Sequence, residues 1–305
     1  FGADVESGCR LSETVGLVMF FSLFLGGAMA ESLVETPVLA VGVLPIEIEE
    51  VVRASAHLPL PERMAAISAP FLELPYLVDG HGEGVEPDLD PPARYDAFDC
   101  VTFLEEVLAL AFAGDPLSAP MYRNALRYEA GVPQYNRRHH FMMAEWIPAN
   151  VEAGFVRDIT ASLGETHRIE KIVERKTWSN WQGTRQFKHD LNELPVGSYG
   201  LNVMSLDAAE EAIDQFPPGA IILTVRQPYD WKPIVISHVG FIIPTDEGIP
   251  TTMRHATKMA GQKVRDHYLQ WYIERLRWFP RPVEGISVLM PIDQGPRRSR
   301  LETAK

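Results

Sequence analysis

The strongest periodic signal in the chain starts at Cys100. Apolar side chains at 100, 103, 104, 107, 108 and 111 share one face at the helical repeat and predict a helix over Cys100–Ala113. Asp99, or Asp96, stands where a carboxylate can cap the first amides, and Gly114 before Asp115-Pro116 supplies the stop. A weaker repeat of the same period (Ile48, Val51, Val52, Ala56) predicts a helix over residues 46–57. Pro59 and Pro61 interrupt it, and Pro61-Glu62-Arg63 opens a second helix reaching Phe71 or Leu72. Residues 79–92, rich in Gly, Pro and Asp, read as a surface loop. Between 120 and 200 polar and aromatic positions mix without a sustained period, as in Asn136-Arg137-Arg138-His139-His140-Phe141.

The last third changes character. Residues 220–225, 234–243, 251–256 and 285–290 are rich in Val and Ile with turn signals between them, and predict strands. A helix over about 266–277 is expected before the last of these. Helices first and an antiparallel meander afterwards give an α+β fold, and no linker-like stretch divides residues 31–305, which read as one domain. The start of the chain has a different pattern. Residues 15–25 (VGLVMFFSLFL) form an apolar run, and Ala28-Met29-Ala30 follows, as in a secretory signal peptide cleaved after Ala30. The run is short for a bilayer span, so stable membrane insertion is not expected; an uncleaved anchor and a buried helix are the competing readings.

Composition narrows the function classes. At 305 residues, with 46% hydrophobic and 23% charged side chains, the chain can bury a sizeable core. Its formal net charge of -13 repels phosphate backbones, which argues against nucleic acid as a partner. Cysteine usage says more. There are two, Cys9 and Cys100, and removal of residues 1–30 leaves Cys100 alone in an oxidising compartment, where a lone thiol is expected to have a task.

That thiol heads the best helix, where the dipole and unpaired amides favour a thiolate and can hold an oxyanion. A thiol nucleophile needs a base, and the base an orienting partner. Of nine histidines, His238 (in Ile236-Ser237-His238-Val239-Gly240) and His255 (in Met253-Arg254-His255-Ala256) lie in successive predicted strands. Each taken singly reads as a buried structural histidine; together behind a helix-borne Cys100 they make a Cys–His–His triad reasonable. No H-E-x-x-H or C-x-x-C pair occurs and His139-His140 are adjacent, so neither a metal nor another cofactor is expected.

These residues resemble the NlpC-type, papain-like cell-wall cysteine peptidases: Phe98-Asp99-Cys100 opening a helix, Pro218-Gly219-Ala220-Ile221-Ile222 leading a strand, then Ser237-His238-Val239-Gly240 and Arg254-His255-Ala256. Within that superfamily the chain is similar to the N-acetylmuramoyl-L-alanine amidase-like branch, on Phe71-Leu72-Glu73-Leu74-Pro75-Tyr76, on Phe98–Glu105 (FDCVTFLE), and on Arg137–Phe141 with Glu145-Trp146-Ile147, over about residues 58–292. Glu145 stands where that branch has Asp, and His140 where it has an aromatic. The resemblance implies a nucleophile helix packed on an antiparallel sheet, with helical N-terminal and middle insertions. It implies Cys100 as nucleophile, His238 as base, His255 as its orienter, and substrate contacts from Tyr76, Asp99, Ser237 and His139. The implied substrate is peptidoglycan or its muropeptide fragments, outside the cytoplasm, in the periplasm or beyond. The branch favours the bond between muramic acid and L-Ala; the wider superfamily favours that between D-Glu and the diamino acid. An acyltransferase with the same triad and a non-catalytic wall-binding module are the remaining alternatives.

Overall fold

The computed structural model describes residues 42–295. The segment read as a signal peptide, with Cys9, lies outside the described residues. The first part is helical, as the periodicity predicts: α1 (Ile46–Ser55), α2 (Leu60–Ser68), α3 (Cys100–Ala113) and α4 (Ala119–Arg127). Pro61 sits in the first turn of α2, where a missing N–H costs nothing, and a short 3-10 turn carries the chain on to Phe71. Five more helices follow, α5 (Ile147–Glu152), α6 (Thr160–Leu163), α7 (Arg175–Asn180), α8 (Leu206–Glu211) and α9 (Leu269–Arg277).

The strands are β1 (Val156–Asp158), β2 (His167–Val173), β3 (Gly197–Val203), β4 (Ile221–Arg226), β5 (Ile236–Ile243), β6 (Thr252–Thr257), β7 (Lys263–Tyr268) and β8 (Val283–Pro291). Six of them form one antiparallel sheet in the order β1-β8-β4-β5-β6-β7. The expected meander is present from β4 to β7; the final strand then crosses back to pair with β4. Apolar alternation shows why the sheet is buried on both faces. Ile221, Leu223 and Val225 of β4 join a core with α3 (Phe103, Val107), whereas Ile222 joins a second core under α8 and α9 (Ala209, Leu269, Ile273). The molecule is therefore α+β, a sheet between two helical layers.

Two expectations are corrected, and a stretch without a legible pattern gains a structure. The helix expected over 266–277 begins only at Leu269, and Asp266-His267-Tyr268 complete edge strand β7. Residues 79–92 are not all surface loop: His81, Gly82, Glu83 and Asp88 are buried, because Arg138 reaches in to bond both Glu83 oxygens at 2.8 Å, Asp88 at 2.7 Å and the His81 carbonyl at 3.1 Å. The region 160–200 contains a β2–β3 hairpin and α7, packed around Trp178, Phe141, Val173 and Leu194.

Candidate active site

Asp99 is the N-cap of α3. Its Oδ1 accepts from the amides of Val101 (3.0 Å) and Thr102 (2.8 Å), and the Thr102 hydroxyl accepts in turn from the Asp99 amide at 3.0 Å, closing a capping box. The other oxygen, Oδ2, accepts from the Asp79 amide at 3.2 Å. Cys100 is thus the first residue of the helix, half-buried, with its sulfur against Tyr76. The Tyr76 hydroxyl and the amides of Val239 and Cys100 lie beside the sulfur and favour its charged form, against the burial that opposes it. The Val239 contact follows from the sheet. Ile242 uses its amide and carbonyl toward Ala220 and Gly219, so the odd-numbered amides of β5 face β6; the β5–β6 ladder stops at Phe241, which leaves Val239 turned to the thiol.

The charge state differs from the expected thiolate. Burial, reinforced by the negative charge of Asp99, pushes the thiol up to about 12, and the amides of Val101 and Thr102 are already spent on the cap. Burial therefore favours the neutral thiol at rest. What remains for an incoming oxygen is the Cys100 amide and the Tyr76 hydroxyl, whose own ionisation burial opposes.

His238 lies on β5 and His255 on β6. The β4–β5 register shifts between Thr224 and Val225, a bulge beside the histidine. His238 Nε2 is 2.8 Å from His255 Nδ1. Gly240 permits this approach: a Cβ there would lie 2.7 Å from the Cβ of His255 and 2.9 Å from the Arg254 carbonyl oxygen. His255 is fully buried, and its Nε2 is 2.8 Å from Nδ1 of His267 on β7. Tyr272 of α9 packs against the rings of His238 and His255, with its hydroxyl 2.5 Å from Thr224 Oγ1. Burial lowers all three histidines; His238, which also feels Arg226 and His267, falls to about 4. At neutral pH His238 is an uncharged imidazole that meets His255 through Nε2, with Nδ1 as its second nitrogen.

Cys100 and His238 open onto one cavity of about 200 Å³, with Ser237 on its wall. Ser237 is fixed by the Arg226 guanidinium, whose Nε donates to its hydroxyl at 2.9 Å. The far wall comes from the stretch that carried no legible signal: Lys171, Val173, Trp178 and Tyr199. Lys171 is buried and donates to the Tyr229 carbonyl at 2.7 Å, tying the hairpin to the β4–β5 loop. His139 is not brought to this cavity. It lines a second one of about 270 Å³ on the other side of Val101, with Asp99, Asp79, Arg127 and Arg138. The structure thus assembles Tyr76, Asp99, Cys100, Ser237, His238 and His255 around the helix start and sets His139 apart. Sequence reasoning missed His267, whose strand carries no apolar alternation. Among the described residues no group of three or more His, Cys, Asp or Glu is placed to hold a metal ion.

Comparison with known proteins agrees with this architecture. No curated protein matches the chain. A solved structure from Legionella pneumophila, assigned to the family model DUF1460, is similar over 81% of this chain and 96% of its own, with a TM-score of 0.70 at 24% identity. An N-acetylmuramoyl-L-alanine amidase from Bacteroides uniformis is similar over 80% of this chain and 99% of its own, with a TM-score of 0.57 at 18% identity. At such identities these likenesses show a shared fold. The family model AmiA-like, described as N-acetylmuramoyl-L-alanine amidase-like, matches residues 66–278, which include Tyr76, Cys100, His238, His255 and His267, and the chain belongs to that family.

Proposed function

We propose that this protein is a cysteine amidohydrolase of papain-like design that acts on peptidoglycan and hydrolyses the bond between N-acetylmuramic acid and L-Ala. Membership of the amidase-like family supports a peptidoglycan hydrolase. The observation that carries the chemistry is the cavity shared by Cys100 and His238, the latter held through Nε2 by His255. With thiol and imidazole both neutral at rest, attack and proton transfer are coupled: the sulfur adds to the amide carbonyl as its proton passes to His238 Nδ1. The Cys100 amide and Tyr76 hydroxyl receive the developing oxyanion. The C–N bond then breaks, His238 returns its proton to the leaving nitrogen, and a thioester remains. Water, deprotonated by His238, releases the acid and restores the thiol.

The choice of bond rests on Asp99. Its Oδ1 accepts two amides of the first turn and its Oδ2 the Asp79 amide at 3.2 Å, so capping α3 accounts for this carboxylate without the amine of a peptide stem. That fits a substrate whose L-Ala nitrogen is acylated. Such a substrate lies outside the cytoplasm, and an exported enzyme is part of this proposal.

Incubation with purified muropeptides, read by mass spectrometry, scores both candidate bonds at once. The expected products are the intact stem peptide and the free glycan. Cys100→Ala releases none, and His238→Ala is slower by at least about a thousandfold. Turnover that survives Cys100→Ala overturns the cysteine mechanism; fragments cut after D-Glu overturn the choice of bond.

A further inference from the structure

The two hydrogen bonds that join His238, His255 and His267, each 2.8 Å, form a file of three imidazoles leading away from the thiol. A neutral imidazole offers one donor and one acceptor, so the file has only two consistent arrangements. In the first, every ring carries its proton on Nε2: His238 donates to His255 Nδ1, His255 donates to His267 Nδ1, and His238 Nδ1 is bare. In the second every ring carries its proton on Nδ1, and His238 presents an N–H to the thiol. Only the first leaves a base. A carboxylate behind a catalytic imidazole would enforce the first arrangement because it accepts only. Here the partner is His255, fully buried and indifferent to direction, so the decision passes to the ring beyond it.

From the geometry we infer that His267 is a positioning residue: by accepting from His255 Nε2 it holds His238, two rings away, in the tautomer that can take the thiol proton. The inference rests on the Cys100–His238 reading above. The site around His267 suits the role. Its ring is half-buried and stacks on Trp271 with centroids 4.4 Å apart and planes 25° apart, so its orientation is fixed by packing. With the acceptor removed, His255 would bury an unpaired N–H at Nε2. The proton then moves to Nδ1, the file reverses, and His238 becomes a donor toward sulfur.

Two variants of the full chain separate this role from packing, because they rank in opposite order under the two explanations. His267→Phe keeps a ring against Trp271 and has no acceptor. His267→Asp gives up the stack and offers an oxygen that only accepts, near the position of Nδ1. With muropeptide as substrate, His267→Phe should lower kcat about tenfold with KM unchanged, while His267→Asp stays within about twofold of the parent. In chains labelled with 15N-histidine, the His238 signal, assigned by its loss in His238→Ala, should show a bare Nδ1 and protonated Nε2 in the parent and the Asp variant, and a protonated Nδ1 in the Phe variant. A protonated Nδ1 in the parent, or a Phe variant with parental kcat and tautomer, overturns the inference. Cys100→Ala serves as the separate control: activity surviving in it sinks the cysteine mechanism, and the nitrogen signals still decide the role of His267.

Discussion

Asp99 does two things to Cys100 that pull apart. As a cap it fixes the first turn of α3 and with it the position of the sulfur; as a charge one residue away it opposes the thiolate. The cap was legible, since an Asp before an apolar helical repeat has a mechanism for being there. The charge state was not, because the burial that dominates it comes from the core that α3 forms with distant parts of the chain, β5 among them. Asp99→Asn keeps the Oδ1 acceptor and removes the charge. It should lower the thiol pKa and speed alkylation of Cys100 by iodoacetamide at pH 8 by a few-fold, in proportion to the extra thiolate. Stability should fall by less than the roughly 0.5–2 kcal/mol that a capless Ala costs. An unchanged alkylation rate in a folded Asp99→Asn chain would mean that the sulfur does not feel this carboxylate.

At the level of elements, the nucleophile helix is held by charges where periodicity predicted only an apolar face. Residues 102–113 of α3 are all buried, Glu105 and Glu106 included. Glu106 takes a bidentate pair from Arg123 of α4 at 2.6 and 2.7 Å with Tyr95 beside it; Glu105 takes Arg127 at 2.7 Å and the Trp146 indole at 3.0 Å. A buried charge whose partner is removed is left without solvent, so Glu106→Gln should cost about 3–5 kcal/mol in denaturant titration. The exposed Glu49–Arg53 pair, at 2.8 Å, should lose less than about 1 kcal/mol on Glu49→Gln. Equal effects at the two sites would show that α4 is not fastened through these ions. Elements built on apolar repeats, α3 and β4 to β6, were readable for that reason. Strand β7 was not, since Val264 is its one buried side chain; its neighbour α9, with Leu269, Tyr272, Ile273 and Leu276 at helical spacing, drew the expected boundary three residues too early. The β2–β3 hairpin was hidden by Lys171, a charged residue at a buried position between Ile169 and Val173.

Across the whole molecule, burial of neutral histidines sets a limit on the acid side. His81, His140, His238 and His255 all have their pKa values lowered by burial, His238 to about 4 and His140 to about 3, whereas in the unfolded chain they titrate near 6.5. Above about pH 6.5 these groups are neutral in both states and favour neither. As the pH falls below that, the unfolded chain takes up protons that the folded chain refuses, and stability declines until the folded groups themselves titrate. Glu145 works in the opposite sense. Its carboxyl, raised to about 7 by burial, is protonated first in the folded state, so it adds stability between pH 7 and its unfolded value near 4.5. Asp79 is raised by burial too, but His139, His189 and His267 are lowered as well, and the balance stays with the histidines. The melting temperature should therefore hold steady from pH 8 to 7 and fall progressively between about pH 6.5 and 4, with net proton uptake on unfolding at pH 5 measurable by calorimetry in buffers of different ionisation enthalpy. Replacing His140, which stands outside the thiol–imidazole pair, by Phe should make the decline shallower while leaving the neutral-pH melting temperature closer to the parent. A melting temperature that is flat from pH 7 to 4.5, or that rises, would mean that these rings reach solvent and that the base in the cavity is not the neutral imidazole on which the proton transfer depends.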